Sequence, residues 1–326
     1  MGESGCGKSV TALSIAGLLP ENAKVIGGEV TLGGRNLLSL RKNELRLSRL
    51  KDIAFVFQDP MTYLNPVLSV GSQLTEVLTA DKRAHLDSLL SLKLKEIDQL
   101  LVKQPGNVHA RRERQSLGSP GATLSRGERR RLAKKMVLEY LHLVRLPEPE
   151  RVFKMYPFEL SGGMRQRAMI AMALVRRPKV LLADEITTAL DVTVQAQILE
   201  LLRDLRDKID AAIILITHDL AVVAEVCDRV AVMYAGNIVE VAGVEELFAS
   251  PLHPYTVGLL AAIPRPDMEN IKLETIGGSV PDLIYPPPGC RFHPRCPKAF
   301  ERCPKVKPPL IEVRPGHKVA CLLYGG

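Results

Sequence analysis

The sequence has no apolar run approaching the ~18 residues that a membrane-spanning helix needs. Its N-terminus also lacks the basic, then apolar, then small-residue layout of a secretory signal. Both absences point to a soluble or peripheral protein that stays in the cytosol. Tryptophan is missing altogether, and Tyr and Phe number only seven each. Six cysteines in a reducing compartment argue against a disulfide framework and leave metal or cluster binding open. What remains is ordinary for a globular chain, with 46% hydrophobic and 25% charged residues. At 326 residues it can bury one large core, with or without a small appended unit.

The net charge of +8 is local. Residues 81–135 hold 14 Lys/Arg against 6 Asp/Glu, an excess equal to that of the whole chain. Such a stretch can lie against anionic lipid or nucleic acid, but a solvated helix face is the commoner outcome.

Residues 2–7 form a glycine-rich loop that runs into a helix expected from Lys8 to about Leu19. Residues 24–34 read as strand and turn, punctuated by Gly27-Gly28 and Gly33-Gly34. Continuous apolar strands are expected at 53–57, 180–183 and 212–216, each ending in polar residues. Helices are expected from Val70, over Leu86 to Leu101, from Ser125 with Glu128 completing a capping box, and from Ser161. Residues 104–123 read as a flexible loop. Apolar strands alternating with helices imply a parallel sheet covered on both faces, with ligands at the strands' carboxyl ends. From Pro251 the composition changes: 14 of the 23 prolines fall between Pro251 and Pro315, which reads as a separate, small, irregular unit.

Gly2, Glu3, Ser4, Gly5, Cys6, Gly7, Lys8 and Ser9 fit the phosphate-loop pattern. Glycines let backbone amides curl around phosphate oxygens, and the following helix adds its positive end. Lys8 can reach the β- and γ-phosphates, and the Ser9 hydroxyl can ligate Mg²⁺. Asp184 at a strand end can hold the Mg²⁺ shell, and Glu185 can polarise an attacking water.

Leu160-Ser161-Gly162-Gly163-Met164-Arg165-Gln166-Arg167 lies 23 residues before Asp184, counted from Ser161. It resembles the signature of ABC ATPases. Gln58 then resembles the Q-loop glutamine, Ala189-Leu190-Asp191 the D-loop, and His218 the switch histidine. The resemblance implies head-to-tail pairs of ATPase domains. Ser161, Gly162 and Gly163 would serve a nucleotide held by the partner, while His218 and Gln58 would act in cis, Gln58 also touching Mg²⁺. Residues 124–128 imitate a second signature but lack its paired glycines.

The chain also resembles the ATP-binding subunits of the oligopeptide/dipeptide (peptide/nickel) permease family. The similarity rests on Gln58-Asp59-Pro60-Met61-Thr62, Leu64-Asn65-Pro66, Pro251-Leu252-His253-Pro254-Tyr255-Thr256 and Ala262-Ile263-Pro264-Arg265-Pro266. It implies a second, homologous ATPase subunit, two membrane permeases, an extracytoplasmic solute-binding protein, and a place on the inner face of the bacterial membrane. A nucleic-acid-directed ABC ATPase and an inactive fragment are the rival readings. Cys290, Cys296, Cys303 and Cys321 follow with gaps of five, six and seventeen residues. Four thiolates suit Zn²⁺ or an iron–sulfur cluster. The C-x₂-C knuckle of many zinc sites is absent, and the resemblance favours a [4Fe–4S] cluster. His293 and His317 are alternates, expected to be exposed, while Cys6 and Cys227 read as plain small residues.

The expected architecture is an α/β P-loop NTPase core over 1–250, with a parallel sheet and an antiparallel β region. A helical subdomain at about 70–175 carries an insertion at about 81–122, and 251–326 form the Cys-rich extension. That insertion is one departure from the family, and two more stand out. Ile186 replaces a usual proline. Only Met1 precedes Gly2, where the family has a strand and an adenine-stacking aromatic, so the natural start is expected upstream and this chain is expected to bind ATP weakly.

Overall fold

The structure is a computed structural model. It describes residues 1–80, 99, 102–104, 107–108, 110–111, 114, 126–188, 190–262 and 276–325. Apart from Gln99, which is helical, the helix expected over Leu86 to Leu101 lies outside the described residues, as do most of the insertion, Ser125, Ala189 and residues 263–266. Of the stretch expected as a flexible loop, Val108, Ala110, Arg111 and Arg114 are helical.

The strands in chain order are β1 (Thr31–Leu32), β2 (Arg35–Asn36), β3 (Ile53–Val56), β4 (Val180–Asp184), β5 (Ala212–Ile216), β6 (Arg229–Tyr234), β7 (Asn237–Gly243), β8 (Ile311–Arg314) and β9 (His317–Val319). They form sheets ordered β1-β2, β3-β4-β5 and β6-β7-β9-β8. β3 and β4 pair in parallel, Ile53 opposite Val180 through Val56 opposite Ala183. The four-stranded sheet is antiparallel throughout. Two compact units result, one of Met1–Leu38 with Leu215–Gly326, the other Ser39–Ile214.

In the second unit, Leu181, Leu182 and Ala183 are fully buried, the mark of a strand covered on both faces. Helix Val192–Lys208 turns Ile198, Leu199, Leu201, Leu202 and Leu205 inward at helical spacing. Helix Val70–Thr79, capped by Ser69, buries Val70, Leu74 and Leu78. Helix Arg126–Leu143 buries Leu132, Ala133, Met136, Val137 and Leu141 on one side. Each such large side chain contributes ~1.5–3 kcal/mol.

In the first unit, helix Lys8–Ala16 stops three residues short of the expected end. Gly17 takes a left-handed φ of 62°, and the Gly17 and Leu18 amides turn back onto the Ser14 and Leu13 carbonyls. The core gathers Val230, Val232, Tyr234, Leu247, Tyr255 and Phe292. Tyr234, Tyr255 and Phe292 form a triangle with ring centroids 4.7, 5.1 and 5.4 Å apart.

The expectation of a separate, irregular tail needs correction. β8 and β9 join the sheet of β6 and β7, and Phe292 stands in the same core as β6. The hairpin turns at Pro315-Gly316, where Gly316 has φ 76°. Proline then glycine at the two central positions is a turn signal readable in the sequence.

Candidate functional site

In the first unit the phosphate-loop residues lie against β6 and the turn that follows it. Met1 runs alongside β6, its amine donating to the Ala231 carbonyl at 2.7 Å and its carbonyl accepting from the Met233 amide at 2.7 Å. Gly2 follows with the Met233 carbonyl so close that a Cβ would stand 2.1 Å from its oxygen. No other residue fits there. Gly5 and Gly7 take φ values of 77° and 97°, which wind the loop into the helix. The Gly236 amide closes it with a 2.8 Å bond to the Cys6 carbonyl. Cys6 is fully buried, which pushes its thiol pKa up. It is a packing residue.

Lys8 is buried, and its Nζ donates to the carbonyls of Gly2 at 2.8 Å and Glu3 at 3.0 Å. The loop is thus folded around its own lysine. Ser4, Gly5 and Ser9 are exposed, open to a ligand. His218 is exposed after β5, between buried Thr217 and Asp219. Asp219 caps helix Leu220–Val226 through the Ala221 and Val222 amides.

In the second unit the ends of β3 and β4 place Gln58 against Glu185. Gln58 Nε2 donates to Glu185 Oε2 at 3.0 Å. Asp184 is buried at the end of β4, and Glu185 next to it has a φ of 45°. A non-glycine residue with left-handed backbone carries strain, and such strain gathers at functional sites. Ile186 is buried in the core. Ser161 caps helix Gly162–Leu174, its Oγ accepting from the Met164 amide at 3.3 Å, and Ser161 and Gly162 are both exposed. Gly163 is buried, and a Cβ there would meet Val194 Cγ1 at 2.6 Å. Asp191 caps the helix that carries Val194, accepting from the Val194 amide at 2.9 Å. The signature and the Asp191 turn are therefore packed as one piece.

The Ser9 hydroxyl, the Gln58 amide oxygen and the Asp184 carboxylate are oxygen ligands, the type that Mg²⁺ takes.

Some site features escaped the sequence. Phe55, Phe57 and Tyr63 stack in series, with centroids 4.2 and 4.0 Å apart. They line a cleft of about 350 Å³ with Arg49, Met169 and Met172. Aromatics at 55 and 57 in a strand are the signal that could have found it. Gln73 is buried and pins the loop before its helix, accepting from the Asn65 amide and donating to the Asn65 and Leu68 carbonyls.

A profile described as "ABC transporter" matches residues 1–188. The chain belongs to the ABC transporter family. A second profile, "Oligopeptide/dipeptide transporter, C-terminal region", matches residues 239–303 of this ABC protein. Among its relatives is a probable peptide ABC transporter ATP-binding protein, y4tR, of Sinorhizobium fredii. That protein is 48% identical over 98% of this chain and 83% of its own length. The oligopeptide transport ATP-binding protein OppD of Escherichia coli is 46% identical over 98% of this chain and 82% of its own. Among solved structures, the ATP-binding cassette MJ0796, dimeric in a post-hydrolysis state with ADP and Pi, matches with a TM-score of 0.54. It is 27% identical, covering 75% of this chain and 83% of that one. The ABC ATPase fold and activity expected from the motifs stand on these matches.

The four tail cysteines share one neighbourhood. Cys290, Cys296 and Cys303 all bear electrostatically on Cys321, and the Cys290 amide donates to the Cys303 carbonyl at 2.8 Å. Burial raises the thiol pKa of Cys290, Cys296 and Cys321. Among the described residues, no three His, Cys, Asp or Glu side chains are gathered closely enough to hold a single metal ion. His317 is not exposed as expected. It is 1% exposed, with Nε2 2.7 Å from Glu240 Oε1, a buried partner 77 residues earlier that the sequence could not point to. His293 is half-buried, its Nδ1 2.9 Å from the Cys290 carbonyl.

Among the described residues no helix is long and apolar enough to cross a membrane.

Proposed function

We propose that the chain is the ATP-hydrolysing subunit of an importer for di- and oligopeptides, held at the cytoplasmic face of a bacterial inner membrane. One observation carries this reading: the ABC profile over 1–188 and the oligopeptide/dipeptide C-terminal profile over 239–303 occur in a single chain. The functional division in this reading is an ATPase domain at 1–250, its helical subdomain at about 70–175 including the insertion at about 81–122, and the extension at 251–326.

In this reading Gly2 to Ser9 wrap the triphosphate, with Lys8 moving from its own loop carbonyls to the phosphate oxygens. Ser9, Gln58 and Asp184 would hold Mg²⁺, which neutralises charge on the phosphates when bound. Glu185 accepts a proton from water as the water oxygen bonds to the γ-phosphorus and the bond to the ADP oxygen breaks. Gln58 orients Glu185 through their hydrogen bond, and His218 contacts the γ-phosphate. Exposed Ser161 and Gly162 at a helix N-terminus, with Gly163 and Asp191 behind them, serve the nucleotide of a second ATPase subunit.

A permease segment docks in the cleft of Phe55, Phe57 and Tyr63. That stack continues directly into Gln58, so a segment seated there sits one residue from the group that touches Glu185. Two permeases and an extracytoplasmic solute-binding protein complete the assembly, and no nucleic acid takes part.

The tail cysteines hold a [4Fe–4S] cluster. Four thiolates suit such a cluster, and Cys290, Cys296 and Cys303 all bear electrostatically on Cys321. Anaerobically purified protein is expected to be brown and the Cys296→Ser variant colourless. Colourless parent protein with one equivalent of zinc would overturn the cluster.

The transport reading is tested with the complete importer in proteoliposomes. Labelled peptide should accumulate only with ATP and binding protein, and peptide should raise ATP turnover. Accumulation of nickel but not peptide would sink the substrate assignment.

A further inference from the structure

We propose that the C-terminal extension sets nucleotide affinity by holding the phosphate loop through Glu3, with Tyr255 and Arg295 as positioning residues. The inference rests on residues 2–9 being the phosphate loop, and it adds a function for the extension.

Glu3 is a hub. Its amide donates to Tyr255 Oη at 2.9 Å, and its carbonyl accepts from Lys8 Nζ at 3.0 Å. Its carboxylate accepts from both terminal nitrogens of Arg295, Oε2 at 2.9 Å and Oε1 at 3.2 Å. Backbone and side chain of one loop residue are thus bound to two parts of the extension, 252 and 292 residues away.

Both anchors are rigid. Tyr255 is fully buried in the triangle with Tyr234 and Phe292. Its position at the start of helix Pro254–Ala261 is fixed by the His253 cap on its own amide. The Arg295 side chain is 6% exposed. Its Nε donates to the Gly277 carbonyl at 2.8 Å, and Nη1 and Nη2 donate to the Tyr234 hydroxyl and the Ile276 carbonyl, each at 3.3 Å. The guanidinium also lies 5.8 Å from the Tyr234 ring centroid. A fork held on every nitrogen is a fixed bidentate clamp.

Electrostatics gives the clamp its purpose. Glu3 puts a carboxylate into a loop that must receive several negative charges, and like charges at short range repel. Arg295 cancels that charge and holds the carboxylate in a two-point ion pair. Tyr255 fixes the amide plane whose carbonyl faces Lys8. Removing Arg295 therefore does two things: it loosens the loop and leaves an uncompensated charge beside the phosphates.

The test is nucleotide affinity of the full chain, read with fluorescent ATP and ADP, together with KM and kcat in the assembled transporter. Arg295→Ala should weaken ATP binding by about tenfold, the scale of a lost charge-assisted hydrogen bond, and weaken ADP less because it carries less charge. The loss should fall on KM rather than kcat. Tyr255→Phe, which removes only a hydroxyl from an otherwise intact core, should weaken both nucleotides alike. Adding Glu3→Gln to Arg295→Ala should recover most of the ATP affinity, which a merely unfolded tail would not allow. Lys8→Ala is the control on the loop itself. If Lys8→Ala loses ATP while Arg295→Ala and Tyr255→Phe bind it like the parent, the clamp is wrong and the loop stands. If Lys8→Ala also binds ATP normally, the loop assignment falls and the clamp falls with it. An equal loss for ATP and ADP with no recovery in the double variant would reduce Arg295 to a packing role and overturn the charge argument.

Discussion

At the scale of single residues, the site concentrates strain and polarity on Glu185. It follows buried Asp184, adopts a φ of 45°, and receives a 3.0 Å hydrogen bond from Gln58. A left-handed glutamate costs of order 1 kcal/mol, which the surrounding structure must offset. What the strain achieves is direction: the carboxylate leaves the strand end at an angle that brings it to the Gln58 amide. Glu185→Gln keeps the shape and removes the base. ATP binding should persist while hydrolysis falls ~10²–10⁴-fold, the usual reach of general base catalysis. Single-turnover hydrolysis in a complex carrying the change in every ATPase subunit checks this, and undiminished turnover would remove Glu185 from the chemistry. The candidates Lys8, Ser9, Asp184 and Glu185 could be named from the sequence because each stands within a contiguous motif. Glu3 was not. Its partners Tyr255 and Arg295 lie 252 and 292 residues on, and only folding brings them to it.

At the scale of elements, the two glycines of the signature have different duties. Gly162 is exposed, and a Cβ there would only touch Leu190 at 3.7 Å. Gly163 instead lets helix Gly162–Leu174 approach helix Val192–Lys208, with Val194 as the contact. A β-branched side chain on the facing helix cannot swing aside freely. Gly163→Ala should therefore destabilise the protein by about 1–3 kcal/mol, the usual cost of overpacking. Val194→Ala should relieve most of that loss in the double variant. Urea unfolding of the four proteins closes the cycle, and additive losses would show that the two helices do not clash there. The sequence marked the signature as a ligand-binding motif but could not reveal this second demand. The elements themselves were readable where the pattern was strong: β3, β4 and β5 match the apolar runs to within a residue. The hairpin of β8 and β9 was missed because proline-rich composition masked two short strands. Its partner, β7, also lies about seventy residues earlier.

At the scale of the whole chain, Glu240 ties together parts that the sequence keeps apart. Fully buried on β7, it accepts from the Leu252 amide at 2.7 Å, the His253 amide at 3.0 Å and His317 Nε2 at 2.7 Å. One carboxylate thereby joins strand β7, the start of helix Pro254–Ala261 and strand β9 of the same sheet. His253 completes the junction. Its Nδ1 accepts from the Tyr255 amide at 3.0 Å, which places the proton of the neutral ring on Nε2. Burial lowers its pKa to about 4, against a smaller opposing pull from Glu240. Because the folded value lies below the unfolded 6.5, the unfolded chain binds the proton first. Stability from this residue is fully present above pH 6.5 and is lost as pH falls towards about 4. Protonation would also put a hydrogen on the nitrogen that now caps the helix. A shift of that size corresponds to about 3 kcal/mol. His253→Asn keeps an N-capping side chain and removes the titration. Urea midpoints between pH 7.5 and 4 should fall steeply in the parent and less steeply in the variant. The gap between them should narrow by about 3 kcal/mol across the window, as the shift requires. Parallel curves would mean that His253 does not carry the acid sensitivity of this junction.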